Sequence, residues 1–160
     1  MIIVSDTTCL CHLALVGQHE LLHQLFGSVV IPPAVAAELA QGALKRPEIS
    51  EVLHAGWLEV RTLEDTCRAD ELAQTLDRGE AEALVLAIEL DCPLLMDDLP
   101  GRRCAQSMKL KFTGTLGVLV AAKAKGMIPL IQPVIHRMIH EDGFRVSGSL
   151  IAQTLKEVGE

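Results

Sequence analysis

Five carboxylates in this sequence stand where an apolar run stops or where a helix would not be expected to wet an acid: Asp6, Glu38, Glu80, Asp97 and Asp98. Met1-Ile-Ile-Val-Ser runs straight into Asp6-Thr7-Thr8, and the short run Cys92 to Met96 ends at Asp97-Asp98. In the helix expected after Pro33, Val35 and Leu39 define the buried stripe, and Glu38 lies about 60° off that line at roughly 100° per residue. In the helix from Glu80 to Leu90, Glu82 and Glu89 fall together and mark the solvated side. Glu80 points nearly opposite, in the first turn beside Gly79. Periodicity therefore selects Glu38 and Glu80 and sets Glu82 and Glu89 aside.

Four or five carboxylates at one rim would repel one another, and some would be forced to stay protonated. Divalent cations remove that conflict. A ligand set made only of oxygen suits the hard ions Mg²⁺ or Mn²⁺ and not zinc. Such ions can activate water and stabilise the leaving oxygen in an in-line attack on a phosphodiester.

Elements that would bring these residues together are legible in outline. Strands are expected at the amino terminus, at Ser28 to Ile31, at Trp57 to Val60 as an edge, at Cys92 to Met96 and at Leu110 to Phe112. Helices are expected after Thr7 or Thr8 as the cap, with a break near Gly17, and from Pro33 as a first helical position. Further helices are expected at Ile49 to His54, Glu80 to Leu90, Thr115 to Lys125, Pro129 to His140 and Ser147 to Val158. Alternating strands and helices imply a three-layer α/β fold, with a central, mostly parallel sheet of four to five strands flanked by helices. Ligands of such sheets bind beyond the carboxyl ends of the strands. Three runs end in polar residues there: Asp6, Asp97-Asp98 and Thr113-Gly-Thr115. No repeat or linker divides the chain, so residues 1–160 read as a single domain.

Composition limits the alternatives. With 49% hydrophobic and 22% charged residues the chain is globular, and with 2% aromatic residues its core must be aliphatic. Few rings also argue against binding single strands by stacking bases on aromatic platforms. The longest uncharged apolar run, Gly114 to Ala122, is too short to span a bilayer, and no basic stretch precedes an apolar one at the amino terminus. The expected location is the cytoplasm, away from membranes. The net charge of −7 is unevenly spread. Residues 1–98 carry 17 of the 21 acids, whereas residues 99–140 carry seven Lys and Arg residues and no acid. That asymmetry suits a cation site beside a surface that attracts phosphate.

Other constellations carry less. His19 with His23 and His136 with His140 have the i, i+4 spacing of metal ligands, but no third ligand accompanies either pair. The five cysteines are scattered and read as reduced thiols. Gly114-Thr-Leu-Gly117 lacks the lysine and spacing of a phosphate loop, and no serine elbow is present. Trp57 reads as a packing residue.

Taken in order, Ile31-Pro-Pro-Ala-Val-Ala-Ala-Glu38, Gly79-Glu-Ala-Glu-Ala83, Leu94-Leu-Met-Asp-Asp98 with Arg102, Thr113-Gly-Thr-Leu-Gly117 and Glu141-Asp-Gly-Phe144 resemble the motifs of a PIN-like family. Its members are small prokaryotic proteins related to the VapC toxins, and the likeness runs from about residue 2 to 155. The resemblance implies a metal-dependent ribonuclease that acts on RNA, forms a homodimer and is blocked by a small antitoxin protein. It implies that Asp6, Glu38, Glu80 and Asp98 form the acidic set, with Asp6, Glu80 and Asp98 as metal ligands and Asp97 as an assisting neighbour. Thr7 or Thr115 would orient the attacking water, and Arg102 would contact phosphate. Two places depart from the pattern: Leu99-Pro100, where a more polar turn is expected, and Cys9 with Cys11, where small or aliphatic residues are usual. The first raises the alternative of a catalytically silent module that binds RNA or protein. An Asp-phosphorylated receiver or a phosphatase shares the strand-end aspartates but fits less well, because the aspartate pair follows a late strand and no lysine is placed to neutralise a phosphoryl group.

Overall fold

The computed structural model describes residues 1–160, and its strands are short: β1 Ile2–Ser5, β2 Ser28–Ile31, β3 Leu58–Val60, β4 Leu94–Leu95 and β5 Phe112–Thr113. They form one sheet in the order β3-β2-β1-β4-β5, and every neighbouring pair is parallel. The expected four to five strands are thus five, with no antiparallel member. Side chains alternate between the two faces with period two. Ile3, Val29, Ile31 and Leu95 enter a core of 24 buried residues on one face, and Val4, Val30, Leu94 and Met96 enter a core of 10 on the other.

Ten helices cover the sheet. The larger core is closed by α1 (Thr7–Leu15), α2 (Glu20–Phe26), α3 (Pro33–Ala43), α4 (Pro47–Leu53), α8 (Thr115–Ala124) and α9 (Gln132–Asp142), with α10 (Gly148–Glu157) packed outside it. The smaller core is closed by α6 (Arg78–Leu90) and α7 (Leu99–Ser107), and α5 (Thr66–Leu72) lies against α6. Aliphatic side chains fill both cores, and each fully buried Leu or Ile contributes about 1.5–3 kcal/mol, so the shortage of rings is no obstacle to burial. No helix is long and apolar enough to cross a membrane.

Local expectations are corrected at several places. The cap of α1 is Asp6 and neither threonine: its side chain accepts the Cys9 N–H, a bond that only the residue before the helix can make. Leu99-Pro100 is no loop; the pair opens α7, where a proline in the first turn loses no hydrogen bond. The last strand lies at Phe112–Thr113 and excludes Leu110, whose N–H turns back to Ala105. Glu82 is buried and stands on no wet face. Helix α6 is buried all round from Gly79 to Ala87, so its first two turns have no solvated side for periodicity to find.

Candidate metal centre

The acidic residues collect at the carboxyl edge of β1 and β4. These adjacent strands are those at which the strand order reverses direction, the place where open parallel sheets bind ligands. Asp6 follows β1 directly and is 2% exposed. Its N–H donates to the Leu95 carbonyl at 3.1 Å, and its Oδ1 accepts the Cys9 N–H at 3.0 Å. Its Oδ2 is buried and has no hydrogen-bond partner. Burial is the main cause that pushes the Asp6 carboxyl up to about 7; the Cys9 N–H pulls against it, and the charge of Asp97 adds to it.

Helix α6 delivers two more acids. Asp77 caps it by accepting the Glu80 N–H at 2.9 Å, which places both side chains at the same helix end. From the other side, Asp98 stands at the cap position of α7. Carboxylate oxygens of Asp77, Glu80 and Asp98 lie within 4.8 Å of one another. Burial lifts the Glu80 carboxyl to about 8, helped by its hydrogen bond with Asp98 and by the charges of Asp77, Asp98 and Asp6. Asp77 escaped the sequence reading. The signal was available: an Asp three residues ahead of Glu80 has the spacing of a cap to the N–H it receives.

Other expected residues surround this group. Asp97 is half-buried and fully engaged by Thr115, whose N–H reaches Oδ1 at 2.8 Å and whose hydroxyl donates to Oδ2 at 2.6 Å. Gly114 permits this approach, since a Cβ there would stand 2.5 Å from Asp97 Oδ1. Glu38 is exposed at the margin, where its carboxylate accepts from the Thr7 hydroxyl and rests on Gly79. A Cβ at Gly79 would meet Glu38 Oε1 at 2.6 Å. Both threonine hydroxyls donate to carboxylates and so position acids, and each oxygen keeps lone pairs with which it could accept from a water. Arg102 lies over the Phe112 ring, 5.3 Å from its centre, and has no carboxylate partner.

These groups suit a divalent ion. A buried carboxylate oxygen is left without a donor, two neighbouring carboxyls are driven toward neutrality, and the three clustered carboxylates offer hard oxygens, with the Cys9 thiol buried behind Asp6 as the one soft atom close by. Asp77, Glu80 and Asp98, with Asp6 behind them, are the residues that would hold it. The histidines stand elsewhere. His23 stacks on Trp57, whose Nε1 donates to Glu20 at 3.0 Å, and the His136 and His140 rings face each other at 4.1 Å.

The fold matches a known structure. A PilT N-terminus domain protein from the hyperthermophilic archaeon Sulfolobus solfataricus P2 superposes with a TM-score of 0.58 at 16% identity, over 76% of this chain and 93% of that one. At that identity the likeness shows the fold alone. No curated protein matches the sequence. The family model DUF3368, described as a PIN domain, matches residues 2–160, and the chain therefore belongs to that PIN-domain family.

Proposed function

We propose that this protein is a Mg²⁺- or Mn²⁺-dependent endoribonuclease that hydrolyses RNA phosphodiester bonds at the acidic centre, and that it is the toxin of a toxin–antitoxin pair. PIN domains are typically nucleases, and one observation supports a working centre here above the rest. The unpartnered Asp6 Oδ2 lies beside a group of acids whose buried members resist ionisation at neutral pH when no cation is bound. Bound there, a divalent ion would supply the charge that lowers the pKa of water and offsets developing negative charge on the phosphate. The chain's own contribution is placement. Asp6 is fixed by the helix it precedes, Asp77 and Glu80 by the first turn of α6, and Asp97 by Thr115, whereas Asp98 leads into α7 with its carboxylate free of any cap bond. Arg102 provides an unpaired cation next to Asp97, where an RNA phosphate would approach.

The departure at Leu99-Pro100 that suggested a silent module is the first turn of α7, and it leaves Asp98 at the cap. The reading is tested by cleavage of single-stranded RNA in Mg²⁺, with Asp6→Asn and Glu80→Gln beside the wild type. Each substitution should lower the rate by about a hundredfold or more. Titration calorimetry with Mn²⁺ at pH 7 should show binding with proton release in the wild type and weaker binding in both variants. Equal cleavage by all three proteins would end the proposal.

A further inference from the structure

A cavity of about 660 Å³ opens beside the acidic centre, between the start of α7, the end of β5, α8 and one face of α10 along its length. Asp97 belongs to its wall, so the cavity and the centre share a carboxylate. Besides small and hydroxyl residues, its lining includes apolar Leu116 and Leu150, the cations Arg102 and Arg145, and one further acid, Glu157. Four of the eight arginines are ion-paired, Arg46, Arg61, Arg78 and Arg137. Arg102 and Arg145 are among the four that are not. Arg102 is braced on Phe112, which fixes its direction at little further entropic cost, and Leu150 in the cavity lining remains 43% exposed.

We propose that this cavity is a nucleotide subsite beside the cut, in which Arg145 and Arg102 take a phosphate of the RNA and Leu116 and Leu150 take the base of the same nucleotide. This inference rests on reading the acidic centre as a ribonuclease, and it adds where the strand lies. A volume of about 660 Å³ falls in the range of sites for small ligands and admits one unpaired nucleotide, not a duplex. Planar guanidiniums suit phosphate in a two-pronged contact. Glu157 would accept a hydrogen bond from a base amino group or a ribose hydroxyl, and its charge with that of Asp97 would repel the side chains of an acidic peptide. An RNA strand crossing the acidic centre reaches the cavity without leaving the surface, because Asp97 borders both.

The test is fluorescence anisotropy of a labelled single-stranded oligoribonucleotide, in Ca²⁺ to suppress cleavage, across a salt series. Arg145→Ala should weaken binding about tenfold at low salt and flatten the salt dependence by about one phosphate contact, with Arg145→Lys recovering part of the loss. Leu150→Glu should weaken binding by a similar factor. Arg103→Ala removes an equally unpaired arginine from the same helix outside the cavity, and it should bind RNA as the wild type does. Mn²⁺ affinity should be unchanged in all four. Unaltered RNA binding in Arg145→Ala, Arg102→Ala and Leu150→Glu, alongside intact metal binding and cleavage, would overturn the subsite and leave the nuclease standing. Loss of binding to a short Glu/Leu-repeat peptide in these variants, with RNA binding untouched, would also overturn it in favour of a protein partner. Failure of the nuclease reading has a separate sign, absence of Mn²⁺ binding and cleavage in the wild type, and the anisotropy comparison does not depend on it.

Discussion

Burial carries the Asp6 carboxyl from 3.8 to about 7, and the Glu80 carboxyl moves from 4.5 to about 8. A carboxyl whose folded value is raised binds its proton more tightly in the native state than in the unfolded one. Its contribution to stability is therefore complete below the ordinary carboxylate range and is lost as pH climbs through the folded value. For these two residues the loss falls between about pH 4 and 8 and is finished above that. One pKa unit corresponds to about 1.4 kcal/mol, so Asp6 alone accounts for a few kcal/mol, or roughly 10 °C in Tm for a chain of this size. Metal-free protein in chelator should thus melt progressively lower from about pH 5 to about pH 8 and level off above that. Saturating Mn²⁺ should flatten the curve by stabilising the ionised forms. Asn still accepts the Cys9 N–H as a cap, so Asp6→Asn should keep the helix start and lose its share of the slope. Wild type and Asp6→Asn with superimposable slopes would show that Asp6 is not strained by its ionisation.

Helix α6 holds its place through Glu82 as well as through its apolar contacts. Glu82 Oε1 accepts the Ala34 N–H at 3.1 Å, one of the free donors at the start of α3, and Oε2 meets Arg78 Nε at 2.8 Å. This bridge sets α6, which carries Asp77 and Glu80, against α3, which carries Glu38. Truncation would leave the half-buried Ala34 donor without its partner, at a cost of about 1 kcal/mol. Glu82→Ala should therefore lower Tm by a few degrees in thermal denaturation, and Glu82→Gln, which still accepts from Ala34, should lower it less. An unchanged Tm in Glu82→Ala would remove this role. The same residue marks the limit of what the sequence reveals. Asp6, Asp97 and Asp98 were legible because each follows an apolar run that can only be a strand. Glu80 was legible because it opposes Glu82 on the wheel. The inference that Glu82 is wet failed because it assumed one solvated side, and only tertiary packing shows that α6 has none there. Helices α5 and α7 bury only small residues, Ala69 in the one and Gly101 with Ala105 in the other, so no run of large apolar side chains announced either. Asp77 was passed over because a capping Asp and a ligand Asp are the same residue type until a second carboxylate is seen beside it.

For the whole molecule, the uneven charge and the open acidic centre bear on how an inhibitor would work if the proposed toxin role holds. The chain is acidic overall, but its acids gather in the first 98 residues, and the centre they build is open: Asp77, Asp98 and Glu38 are exposed at the sheet edge, whereas Asp6 and Glu80 are buried behind them. A partner that silences such a centre has to cover the open acids, because the buried ones are out of reach. If the chain is a toxin, its expression alone should arrest bacterial growth, and Asp6→Asn should not. Co-expression of a short neighbouring reading frame should restore growth, and the purified pair should cleave RNA slowly and take up Mn²⁺ weakly until the partner is removed. A charge-reversing Asp98→Lys would abolish cleavage by itself, so the partner's footprint is better mapped by hydrogen exchange, with protection expected at the first turns of α6 and α7. Sedimentation of the partner-free chain should give twice the mass of one chain if the homodimer forms without the antitoxin. Undisturbed growth on expression of a wild type that cleaves RNA in vitro would separate the two halves of the proposal, keeping the nuclease and removing the toxin.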